Sequence, residues 1–189
     1  MPQSRPKPGD RRNALQKRKK AAPAKSDLSQ RAKRKLERLQ QAALSGDADA
    51  QLSLANFLRT PAWKSHNPRS AANWAMKAAE QNHAEAQYFV GCCFATGEGL
   101  AKDAKEAVRW YRKAARQGHA EAQYNLGTMY WLGEGVRRNS SLARQWIAMS
   151  AEAGGILAKK LLADAYQLGM FGFPPDKALA KRWRRLAAV

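Results

Sequence analysis

The chain repeats itself every 36 residues. "HAEAQY" stands at 83–88 and again at 119–124, and the register extends in both directions. Four units open with "ADAQLSLANFL" at 48, "AEAQYFVGCCF" at 84, "AEAQYNLGTMY" at 120 and "ILAKKLLADAY" at 156. Trp74, Trp110 and Trp146 share one position in the second half of the unit, and "KAAEQN", "KAARQG" and "MSAEAG" close the first three units. A fixed period of this length belongs to solenoids, in which a unit buries its apolar face only by stacking on its neighbours.

Each half-unit predicts a helix. Ala84, Gln87, Tyr88, Gly91 and Phe94 recur at steps of three and four, as do Ala107, Trp110, Tyr111, Ala114 and Ala115. That is a 3.6-residue period and not an alternating one. The punctuation agrees. Asn67, Asp103 and Asn139 precede the second helix of their units and are N-cap types. Pro68 follows at the first helical position, where proline is tolerated. Asp103 and Glu106 have capping-box spacing. Asp176 takes the cap role one residue late, after an insertion in "GMFGFPPD". Gly46, Asn82, Gly118 and Gly154 share the position that closes a helix in the left-handed conformation.

Gly97-Glu98-Gly99 and Gly133-Glu134-Gly135 look at first like phosphate loops. A phosphate loop follows a strand and leads straight into a helix. Here a helix precedes, the next begins about four residues later, and no Gly-Lys-Ser/Thr follows. These glycines are expected to let the chain reverse between antiparallel helices.

The four units resemble the Sel1-like repeat, a relative of the tetratricopeptide repeat. Its pattern is approximately A-x-A-x-x-x-L-G-x-x-Y-x-x-G-x-G-V-x-x-D-x-x-K-A-x-x-W-Y-x-K-A-A-x-x-G. Unit 84–119 matches nearly throughout and unit 120–155 matches well. Unit 48–83 keeps both helices but carries "RTPAWKSHNPRS" in place of the glycine turn. Unit 156–189 has Ala163 for the first glycine, the altered loop and a displaced Trp183. The resemblance implies an all-α, right-handed α-solenoid of stacked antiparallel helix pairs over 46–189, serving as a scaffold for other proteins. A helix over 27–45, with Leu28, Ala32, Leu36, Leu39 and Ala43 on one stripe, is expected to cap it. The cysteine-rich branch of the family staples each repeat with a disulfide; this chain lacks those cysteines, and the penicillin-binding or hydrolase activity of that branch is not carried over.

Charge divides the chain differently. The net charge is +19, and residues 1–40 supply 14 Lys/Arg against three acids. Residues 1–26 are expected to form a disordered basic arm with too little apolar content to fold. Arg11, Arg12, Lys17, Arg18, Lys19 and Lys20, with Lys33, Arg34 and Lys35 on the next helix, form a candidate anion site. Lysine and arginine pair with phosphates of RNA or DNA by releasing counterions. The arm has no aromatic, so base stacking is not offered. An acidic membrane surface is another possible target. No apolar run reaches the roughly 20 residues of a membrane span. No secretory signal is recognisable, and two adjacent cysteines, Cys92 and Cys93, suit a reducing compartment. A cytoplasmic location is expected.

Candidate contact residues lie on the first helices. Asp49, Ser53 and Asn56; Glu85, Phe89 and Cys92; Glu121, Asn125 and Thr128; and Leu157, Leu161 and Asp164 occupy corresponding positions that vary between units, spaced to share a helix face. Related solenoids line a concave groove with their first helices. Asn56, Phe89, Cys92, Asn125 and Thr128 are therefore candidates for binding another protein, although Phe89 and Leu161 could instead pack between units. Trp131, whose counterparts are Arg59, Ala95 and Gln167, joins them. The repeated Trp74, Trp110, Trp146 and Trp183 are expected in the core. His83 and His119 are expected to cap or turn the chain, lacking a second ligand type at metal spacing. Cys93 reads as core and Cys92 as exposed. No catalytic constellation stands out; neither enzymatic activity, cofactor nor metal is expected.

Overall fold

The computed structural model describes residues 25–60 and 66–188. The described residues form nine α-helices and one 3-10 turn, with no strand among them. Helix α1 spans Lys25–Leu44. Four pairs follow: α2 (Ala48–Arg59) with α3 (Pro68–Glu80), α4 (Ala84–Thr96) with α5 (Ala104–Arg116), α6 (Ala120–Leu132) with α7 (Ser140–Glu152), and α8 (Ile156–Leu168) with α9 (Lys177–Leu186). The 3-10 turn, Met170–Gly172, lies in the fourth loop. Packing is chiefly between helices adjacent in sequence, so the pairs stack in order.

The punctuation read from sequence works as caps. Asn67 and Asn139 each accept from a backbone N–H three residues on, and Asp103 and Asp176 each accept from two. Each satisfies donors that the helix itself leaves unpaired. The capping box at Asp103 is only half formed, because Glu106 pairs with Arg109 instead. Gly46, Asn82, Gly118 and Gly154 all have positive φ.

Small side chains make the inner surfaces. Ala55, Ala72, Ala75, Ala78, Ala86, Ala107 and Ala114 are fully buried, which lets the helices approach closely. Helix α1 covers the first pair by packing Ala43, Leu36 and Leu39 against Ala50 and Leu54. The tryptophans differ from the expectation of a uniform core ladder. Trp110 is buried, but Trp74, Trp146 and Trp183 are only half-buried. Their position leaves part of the ring facing solvent, and over Trp74 and Trp110 the ammonium groups of Lys77 and Lys113 lie 4.4 and 3.8 Å from the ring centres.

The two glycines of each Gly-x-Gly turn have separate roles. Gly97 and Gly133 end α4 and α6 in the left-handed conformation. Gly99 and Gly135 lie against the preceding repeat. A Cβ on Gly99 would stand 2.2 Å from the Pro68 carbonyl oxygen, and one on Gly135 would stand 2.2 Å from that of Ala104. These glycines are docking points between repeats as well as turns. In the fourth unit Gly169 keeps the first role, ending α8 in the left-handed conformation, and the second glycine is replaced by Phe171. It holds φ 58 and buries its ring against Trp131, 4.3 Å away between centres.

Candidate protein-docking site

The first helices carry a polar ladder from repeat to repeat. His83 and His119 are N-caps of α4 and α6: Nδ1 accepts from the N–H of Ala86 and Ala122. The other ring nitrogen reaches back one repeat, His83 Nε2 to Asp49 at 2.9 Å and His119 Nε2 to Glu85 at 2.8 Å. The tautomer that caps through Nδ1 carries its proton on Nε2 and donates it to the carboxylate. The His119 ring also stacks on Tyr88 at 4.6 Å. The expected cap role of both histidines is therefore realised, with an inter-repeat bond added.

A buried glutamine ladder runs beside it. Gln51, Gln87 and Gln123 each donate Nε2 to a carbonyl of the preceding helix, those of Ala43, Ala79 and Ala115. Gln81 then donates to Gln51 Oε1 at 2.9 Å, and Gln117 to Gln87 Oε1 at 2.7 Å. The next donor in the series would stand at 153, where the chain has alanine. Gln123 Oε1 is buried without a partner.

The expected contact residues do not share one environment. Asn56 is exposed, and Asn125 and Thr128 are half-buried on α6. Asn125 and Thr128 line a hollow of about 260 Å³ with Tyr111, Tyr124 and Leu132. Phe89 does not join them. It is buried at 5% exposure in the core of the first two repeats, with the Arg59 guanidinium 4.6 Å over its ring, whereas Asn125 at the same repeat position is half-buried; the large apolar side chain makes the difference. Trp131 lies half-buried between the third and fourth repeats, with Phe171 on one side and Arg138 5.0 Å from the ring centre. It is mainly a packing residue. Cys92 is half-buried, with the Tyr111 hydroxyl 3.5 Å from its sulfur.

Leu132 was not singled out by the sequence reading. It is 61% exposed and lines the hollow. Its counterparts Thr60 and Thr96 are polar, while Leu168 is likewise an exposed leucine, so a leucine at a solvent position in the last two units was the available signal. Leu157, 57% exposed, likewise replaces the acids Asp49, Glu85 and Glu121. With Ile156 it borders a second hollow of about 210 Å³, which shares Tyr124 and Asn125 with the first.

Two phenols and one thiol near this face are held protonated by their surroundings. Burial first, then the neighbouring Cys92, pushes the Tyr88 and Tyr111 phenols above their ordinary value. Burial likewise pushes the Cys93 thiol up to about 12. A thiol held protonated is a poor nucleophile. Among the described residues no cluster of three or more His, Cys, Asp or Glu could hold a metal, and no helix is long and apolar enough to cross a membrane. Lys33, Arg34 and Lys35 are exposed on α1. Arg11, Arg12, Lys17, Arg18, Lys19 and Lys20 lie outside the described residues.

The repeat pattern described as "Sel1 repeat" matches residues 48–83, 84–119, 120–155 and 157–188. Among solved structures, the chain is similar to a protective antigen of uropathogenic Escherichia coli strains displaying an SLR fold, at 37% identity and TM-score 0.75, covering 81% of this chain and 32% of that one. It is similar to a Sel1 repeat protein from Oxalobacter formigenes at 28% identity and TM-score 0.74, covering 80% and 61%. Helicobacter pylori cysteine-rich protein B, at 22% identity and TM-score 0.55 over 69% and 93%, shares the fold. The chain thus spans about a third and three fifths of the first two proteins. The comparison with curated proteins finds no match.

Proposed function

Because this chain belongs to the Sel1 repeat family, whose members generally serve as protein–protein interaction scaffolds, we propose that it is a non-enzymatic adaptor that docks a protein partner across the first helices of its third and fourth repeats. The observation that carries this reading is the pair of exposed leucines, Leu132 and Leu157, each bordering one of two hollows that share Tyr124 and Asn125. An exposed apolar patch with a polar rim marks an interaction site. The His–carboxylate and glutamine bonds fix the spacing of α2, α4 and α6, and the packing of Trp131 on Phe171 ties the third repeat to the fourth, which supports a preformed face. Affinity capture from the source organism, with and without nuclease, tests the reading. A defined protein retained after nuclease treatment supports it; loss of every partner on nuclease treatment refutes it.

The charge distribution favours a second reading, an RNA- or ribosome-associated factor working through the basic arm and α1. If about six basic residues meet phosphates, the log–log salt slope with single-stranded RNA should be about −4, and replacing Lys17–Lys20 with alanine should flatten it for every sequence alike. Anisotropy titrations unaffected by salt or by those replacements would remove this reading.

A further inference from the structure

The hollow of about 210 Å³ at the third junction has the shape of a missing side chain. At the second junction His119 stacks on Tyr88, bonds Glu85 and lies 3.4 Å from Glu121. One repeat later the corresponding residues are Gly155, Tyr124, Glu121 and Leu157, and all four line the hollow. The chain has a glycine where the two preceding junctions have a histidine. Gly155 makes no side-chain cap bond to α8.

The vacancy is held open by a linked change. Ser150 stands where Ala78 and Ala114 stand in the earlier repeats, and its hydroxyl donates to the Ala120 carbonyl at 2.6 Å. A Cβ on Gly155 would lie 2.5 Å from that hydroxyl oxygen. With the Ser150 carbonyl oxygen a further 2.9 Å contact, the site as it stands disfavours a side chain at 155. The donors that the ladder would supply here are both gone. Glu121 meets no donor from the fourth repeat, and its 3.4 Å approach to His119 is to a nitrogen already accepting from Ala122. Gln123 Oε1, nearby in the same junction, is also without a donor.

We propose that this hollow is a receptor for an arginine side chain presented by the partner polypeptide. The proposal rests on the docking reading above and names the chemistry that the site recognises. A guanidinium is planar, so it can stack on Tyr124 as His119 stacks on Tyr88. It carries several donors in one plane and matches a carboxylate such as Glu121 in paired hydrogen bonds. A lysine ammonium offers neither the plane nor the fork. The hollow is smaller than the roughly 300–1,000 Å³ of small-molecule sites, and fits a single side chain.

The test is a titration of the intact chain with N-acetyl-arginine N-methylamide, followed by amide shifts in two-dimensional NMR. Saturable shifts centred on Glu121, Tyr124 and Gly155 are expected. The matching citrulline compound, alike in shape but uncharged, should give none. Glu121→Gln removes the charge at an exposed site and should weaken binding at least about tenfold, as expected for a lost charge-assisted bond. The double variant Ser150→Ala/Gly155→His restores the ladder and fills the hollow from within; it should abolish the shifts while melting no lower than the parent. Shifts centred elsewhere, equal binding of citrulline, or binding unchanged in Glu121→Gln would overturn the proposal. Partner capture lost in Thr128→Glu/Leu132→Glu but unaffected by filling the hollow would sink the arginine receptor and leave the docking face standing.

Discussion

Replacing Gly135 with alanine should separate the third repeat from the second, whereas the same change at Gly118 should be a local matter. Both glycines have positive φ, 66 and 86. An alanine there carries a conformational cost of about 1–2 kcal/mol. At Gly118 nothing lies within 4 Å of the added carbon. Asn82, at the corresponding position with φ 66, already shows a side chain accommodated. At Gly135 the added carbon meets the Ala104 carbonyl oxygen at 2.2 Å, its carbon at 2.3 Å and the Lys105 nitrogen at 2.8 Å. All three are backbone atoms at the start of α5, so no rotamer change relieves them. The turn must lift off by about an ångström or the helix must move. Overpacking of this kind adds about 1–3 kcal/mol, making roughly 3 kcal/mol or more in total. At about 2–4 °C per kcal/mol for a chain of this size, the melting temperature should fall by about 6–12 °C. Urea titrations followed by helical circular dichroism compare Gly118→Ala, Gly133→Ala and Gly135→Ala. Gly133→Ala, whose new carbon meets the Arg138 side chain at 3.3 Å, should fall close to Gly118→Ala. Equal losses at Gly118 and Gly135 would refute the inter-repeat role of the second glycine.

Trp110→Ala should cost about 3–5 kcal/mol, the usual loss for a buried aromatic, and Trp131→Ala about half as much; Trp131 should couple to Phe171 by about 0.5–1.5 kcal/mol in a double-mutant cycle. Ala153→Gln should stabilise the protein by about 1 kcal/mol in denaturant titration, by giving buried Gln123 Oε1 the donor that Gln81 and Gln117 supply elsewhere. In alkali, folding favours the protonated Cys93 thiol, raised from 9.0 to about 12, and the similarly raised Tyr88 and Tyr111 phenols. Their contribution is complete below about pH 9 and is lost as pH rises through the folded-state values. Urea midpoints should therefore decline above pH 9, and less steeply in Cys93→Ala.

The fold was legible because its determinants are local and repeated. A 36-residue register, Asn67, Asp103 and Asn139 as caps, and Gly118 and Gly154 as helix ends each state one rule at several places. What one repeat does to the next was harder to read. The second role of Gly135 is set by the Ala104 backbone, 31 residues earlier in sequence. Phe89 shares a spacing with Asn125 and Thr128, yet its size and apolarity turn it into the packing beneath Arg59. Trp131 looked unconstrained because its counterparts are Arg59, Ala95 and Gln167; its partner, Phe171, stands where the two preceding units have their second glycine, in the loop that the insertion lengthens. The candidate site was visible only in part. Asn125 and Thr128 were found by variation along a helix face. Leu132, Ser150 and Gly155 gain meaning only when each is set against its counterpart in a neighbouring repeat.

The most direct test of the docking face is capture of the partner by the parent chain and by Thr128→Glu/Leu132→Glu, after nuclease treatment and with melting curves recorded for both. The two changes place carboxylates beside Tyr124 and Asn125, on the hollow and on its exposed apolar edge. The account predicts that the variant melts within a few degrees of the parent and no longer retains the partner. A folded variant that retains the partner as well as the parent does would contradict it.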